Sequence, residues 1–154
     1  MKTTNFALAF ALIVAGPVLA EEVKIGGTTC WTGKDTNMLS SEAGWRTNWE
    51  LTSVYTDDEN AEYNTFNRCI GSSQRIGGER SVNWACVHYY DDDSTIMSVG
   101  NGVPEGGAEA TLISGTGRFE GVSGSRKGEP AVSRNAPQGE FAACRTETTT
   151  MTLP

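Results

Sequence analysis

His88 is the only histidine in the chain, so any Ser-His-acid or Cys-His scheme for nucleophilic catalysis must pass through it. No GxSxG elbow surrounds a serine. Residues two apart share a face of a strand, which groups Val82, Trp84, Cys86, His88 and Tyr90. This set is heavier than Ser81, Asn83, Ala85, Val87 and Tyr89, so it is assigned inward. Trp84, His88 and Tyr90 would then form an aromatic pocket with two polar tips, as small-ligand sites are lined. The plainer reading, favoured here, makes His88 a hydrogen-bonded strand histidine near a turn, because one titratable residue does not define a site.

Asp57-Asp58-Glu59 and Asp91-Asp92-Asp93 could offer oxygen ligands to Ca²⁺, but neither follows the DxDxDG loop. Clustered carboxylates at hairpin ends are ordinarily solvated turns. Paired acids for glycoside hydrolysis need a fixed separation that spacing alone does not supply. Trp31, Trp45, Trp49 and Trp84 could build a sugar- or lipid-binding platform, although a small domain also needs some of them as core. No metal or organic cofactor is expected.

The four cysteines, Cys30, Cys69, Cys86 and Cys144, contain no CxxC pair, and His88 alone cannot complete a zinc set. An even count in an exported chain favours two disulfides. Three pairings are possible. If the chain closes as an antiparallel barrel, its first and last strands become neighbours, which favours Cys30 with Cys144 and Cys69 with Cys86. The longer bridge would then stabilise by about 4 to 5 kcal/mol in the chain-entropy model.

Export is read from residues 1–20. Lys2 is a short positive start, Phe6 to Val14 an apolar core, and Val18-Leu19-Ala20 a small-residue cleavage site before Glu21. The apolar run is too short for a transmembrane anchor, which needs about 20 residues. The mature chain, 21–154, is expected to be one domain, secreted or periplasmic, and off the membrane once the signal is cleaved. The whole 154-residue chain carries 12 Lys plus Arg against 19 Asp plus Glu. That balance argues against nucleic acid, whose binders cluster basic residues.

No segment sustains helical periodicity. Strands are predicted at Val23–Ile25 with Thr28–Thr32, Arg46–Thr56, Asn64–Ile70, Arg80–Tyr90, Thr95–Val99, Glu109–Ser114 and Glu140–Thr152. Thr146 to Thr150, four threonines around Glu147, suits a strand because β-branched side chains are stiff in helices. Turns are predicted at Asp57–Asn60, Gly77-Gly78, Asp91–Ser94, Gly100–Gly102 and Gly106-Gly107, and a long loop at Ser125–Gly139. The result is an all-β domain with half-buried strands.

One segment carries a signature. Gly115, Gly117, Gly121 and Gly124 surround a single bulky residue, Phe119. Its GxGxxxG spacing lacks the βαβ setting and Walker lysine of a nucleotide loop. A tight turn would carry Phe119 as a plug, with Gly121 and Gly124 permitting close approach and positive φ. The string Gly115-Thr116-Gly117-Arg118-Phe119-x-Gly121-x-x-Gly124 resembles the strand–turn–strand motif of the allene oxide cyclase and dirigent barrel superfamily, including its secreted bacterial branch. Trp84-Ala85-Cys86 running into Asp91-Asp92-Asp93 is similar to segments of those bacterial proteins. The resemblance implies an eight-stranded antiparallel barrel, calycin-like, with an inner cavity, often trimeric in the plant members. It implies no catalytic residues here. The expected function is therefore a stapled exported barrel, not an enzyme, holding a small apolar ligand. The alternatives are an isomerase or cyclase acting in the cavity, and a surface interaction protein using exposed aromatics.

Overall fold

The computed structural model describes residues 20–103 and 106–154. The expected signal segment 1–20 lies outside the described residues except for its last residue. Among the described residues nine strands run in chain order: β1 (Glu21–Ser41), β2 (Gly44–Asp57), β3 (Thr65–Ile76), β4 (Glu79–Tyr89), β5 (Thr95–Val103), β6 (Gly107–Gly115), β7 (Ser123–Gly128), β8 (Val132–Arg134) and β9 (Glu140–Leu153). Single 3-10 turns stand at Ala61–Tyr63 and Gly117–Phe119. Every pairing is antiparallel, sequential from β1 to β7, then β7 to β9, with β9 returning to β1.

β1 occupies one edge of β9 from end to end. The other edge takes β7 along residues 147–152 and β8 along 142–144, so β8 continues the line of β7. The ring is therefore a closed eight-stranded barrel, and closure pairs the first and last long strands with each other instead of leaving them as two sheet edges.

Alternation sets the two faces. On β2, Thr47, Trp49, Ser53 and Tyr55 are buried while Asn48, Glu50, Thr52 and Val54 do not enter the core. Two apolar clusters result. One fills an end of the barrel with Ile25, Tyr55, Tyr90, Ile96, Leu112, Phe119, Val122 and Met151. Phe119 is 1% exposed, and its ring centroid lies 4.4 Å from that of Tyr90. Gly117, Gly121 and Gly124, at φ of +61°, +80° and +147°, take the chain around this plug through backbone that other residues rarely adopt. Arg118 clamps the plug from outside. It donates to the Glu62 carbonyl, pairs with Asp92 at 3.2 Å, and lies over the rings of Phe119, Tyr90 and Tyr63. The second, smaller cluster joins Trp49 to Cys69 and Cys86 in the other half.

The disulfides are Cys30–Cys144, bridging β1 to β9 on the outer face, and Cys69–Cys86, bridging β3 to β4 on the inner face.

Three local expectations need correction. Gly100-Asn101-Gly102 is not a turn but part of β5, paired with Trp84, Asn83 and Val82. Gly100 makes room for the Trp84 ring, and Gly102 admits the close approach of the Gly107 carbonyl. Ser125–Gly139 is not one long loop, because Ser125 to Gly128 belong to β7 and Val132–Arg134 form β8. The pairing edge of β9 outweighs the low strand propensity of Gly124 and Gly128, and Pro130 falls in the break between β7 and β8. The first strand continues past Thr32 to Ser41, crossing a bulge between Asp35 and Asn37.

Candidate functional site

Above the plugged end the barrel encloses an open lumen of about 680 Å³. All four tryptophans line it: Trp31 from β1, Trp45 and Trp49 from β2, and Trp84 from β4. Four indoles in an eight-stranded barrel would ordinarily fill it. Here two rings lie along the wall, because the neighbouring strands present glycines. A Cβ on Gly71 would run into the Trp49 ring, and one on Gly100 into the Trp84 ring. Gly33 makes the same room for Phe141, which meets Trp49 edge to face at 6.3 Å. Trp49 Nε1 donates to Ser73 Oγ at 3.0 Å, so the indole keeps its polar atom satisfied.

Between the lumen and the plug lies a polar layer. His88 is 3% exposed, with Nδ1 2.7 Å from Asn67 Oδ1 and Nε2 2.8 Å from Ser98 Oγ. Asn67 in turn donates to Ser53 Oγ and accepts from Thr65 Oγ1. Arg126 donates through Nε to Thr149 Oγ1 and places Nη1 3.5 Å from both His88 Nδ1 and Glu147 Oε2. Glu147, 4% exposed, also accepts from Thr29 Oγ1 at 2.6 Å and from Arg145 Nε at 2.7 Å. The carboxylate thus sits between two guanidiniums, a buried charge cluster with its acceptors occupied. Among the described residues no buried side-chain polar atom lacks a partner.

The Ser98–His88–Asn67 chain has the spacing of a nucleophile, base and orienting group. Its electrostatics oppose that role. Burial pushes the His88 imidazole well below its usual range, and the Arg126 charge pushes it further. An imidazolium beside Arg126 would be disfavoured, and the orienting group is a neutral amide rather than the carboxylate of a serine triad. Neutral His88, protonated at Nδ1 toward Asn67 and accepting from Ser98 at Nε2, satisfies the whole chain.

Of the three residues grouped from sequence, Trp84 and His88 line the lumen, whereas Tyr90 packs in the plug at the other end. Burial there raises the Tyr90 phenol to about 12. The acidic turns are turn caps. Asp57 accepts from the Glu59 and Asn60 amides and from Tyr55, and Asp92 accepts from the Ser94 amide. Sequence reasoning missed Asn67, Ser98, Arg126, Arg145 and Glu147. The available signal was β9 alternation, which puts Arg145, Glu147 and Thr149 opposite Thr146, Thr148 and Thr150.

No known protein-family profile matches this chain, and no curated protein matches it. Among solved structures, it is similar to two pterocarpan synthase dirigent proteins. One superposes with a TM-score of 0.57 at 14% identity, covering 96% of this chain and 99% of that one. The other gives 0.59 at 14% identity, covering 86% and 95%. The fold is thus a dirigent-like eight-stranded barrel.

Proposed function

We propose that this protein is an exported binding protein, secreted or periplasmic, of the superfamily's secreted bacterial branch, which takes a small, largely apolar ligand into its barrel. The lumen carries the reading: about 680 Å³, within the range of small-molecule sites, with aromatic walls and a few convergent polar groups. A non-catalytic role is favoured because the polar layer is internally satisfied and its one histidine is held neutral. Two disulfides fit an oxidising compartment.

Native mass spectrometry of protein purified from the exported fraction of its own host tests this directly. A retained small molecule, lost on denaturation together with recovery of tryptophan emission, is the expected result. A bare protein whose tryptophans no neutral apolar compound quenches would remove the reading.

A further inference from the structure

Arg145 projects from β9 into the lumen above Glu147. Its guanidinium carbon lies 5.2 Å from the Trp31 ring centroid and 5.6 Å from that of Trp84, so two indoles flank it. Gly128 on β7 leaves the space it occupies, since a Cβ there would come within 2.8 Å of Nε. Nε is committed to Glu147, which fixes the plane of the group. Among the described residues, no acceptor is hydrogen-bonded to Nη1 or Nη2, and the side chain keeps 19% exposure toward the lumen. A guanidinium held at three sides with its terminal donors open is a preorganised receptor for an oxyanion.

Arg126 and Arg145 against Glu147 give the buried floor one excess positive charge, His88 being neutral. Glu129, exposed and with its amide bonded to the Thr146 carbonyl, stands at the level of Arg145, while Asp35 and Arg80 farther out cancel. The open donors of Arg145 therefore mark the place of a head group at the floor.

We infer that Arg145 is an anion subsite, and that the lumen takes a small apolar molecule bearing one oxyanion, a carboxylate or sulfonate, seated head group first. This rests on the reading of the lumen as a ligand site and adds the chemistry that the site selects. The walls around Trp49, Phe141 and Val82 receive the apolar body, while Arg145 receives the charge.

The test uses two probes of nearly the same shape, anilinonaphthalene sulfonate and its uncharged parent phenylnaphthylamine, read by energy transfer from the lumen tryptophans. The full protein should bind the sulfonate more tightly by about tenfold or more, the size of a charge-assisted hydrogen-bonded contact. Arg145→Gln should abolish that preference and leave phenylnaphthylamine unaffected, and Arg145→Lys should restore part of it. If the single variant fails to fold because Glu147 loses a partner, Arg145→Gln combined with Glu147→Gln keeps the floor's net charge and carries the same test. A sulfonate preference that survives in either Gln variant overturns the inference. So does equal binding of both probes to the unmodified protein, which leaves the lumen a ligand site without charge selection. Entry of neither probe would overturn both the inference and the binding reading.

Discussion

Trp84 lies over Gly100 and Trp49 over Gly71, so the volume of two indoles is taken from the wall of the barrel rather than from its centre. Gly100→Ala tests this pairing. The added methyl meets ring carbons of Trp84 and the backbone oxygen of Glu109, so the ring must move toward the lumen and β6 must give as well. We expect a loss of about 1–3 kcal/mol, the usual cost of overpacking, in urea unfolding, together with weaker uptake of phenylnaphthylamine. Unchanged stability and uptake would mean that the ring has other room. His88 makes a second prediction at this scale. Its native imidazole resists protonation through burial and Arg126, while in the unfolded chain it titrates near 6.5. Below that pH the unfolded state binds a proton that the native state refuses, so stability falls on acidification. His88→Gln should flatten this part of the stability profile. An unchanged acid slope in the variant would assign it to carboxylates instead.

At the level of strands and turns, what could be read from the chain followed how strongly each segment's own residues determined its structure. The inward face of β4 was legible because Val82, Trp84, Cys86 and His88 recur at every second position and outweigh Ser81, Asn83, Ala85 and Val87 between them. The plug was legible because glycines that need positive φ bracket one phenylalanine. Gly100–Gly102 misled because glycine serves two purposes. It permits turns, and it makes room for a ring on the next strand, and only the partner Trp84 decides between them. β7 and β8 were hidden for a related reason. Ser123–Gly128 has little intrinsic strand character, and pairing to β6 and β9 on both sides holds it. The polar floor was hardest to see. Arg126, Arg145 and Glu147 point inward against the ordinary rule for charged side chains, and β7 and β9 must be paired before the carboxylate lies between the two guanidiniums.

For the molecule as a whole, the decisive event is the meeting of its ends, because β1 and β9 are far apart in sequence yet paired along the entire length of β9. The two disulfides bear on this unequally. Cys30–Cys144 closes a separation of 114 residues across the seam, and Cys69–Cys86 closes 17 within a hairpin. In the chain-entropy model these stabilise by about 5 and about 3 kcal/mol respectively. Replacing Cys30 and Cys144 by alanine should therefore cost more in urea unfolding than replacing Cys69 and Cys86. The inner pair also gives up buried sulfur packed against Trp49, which narrows the gap between the two. Ligand uptake should show the opposite order. The seam bridge lies on the outer face, so its variant, where folded, keeps the lumen, whereas loss of the inner bridge alters the wall beside Trp49. Equal unfolding losses would mean that strand pairing, rather than the covalent link, closes the barrel. Loss of uptake in the Cys30 and Cys144 variant at full native content would mean that the seam governs the shape of the lumen.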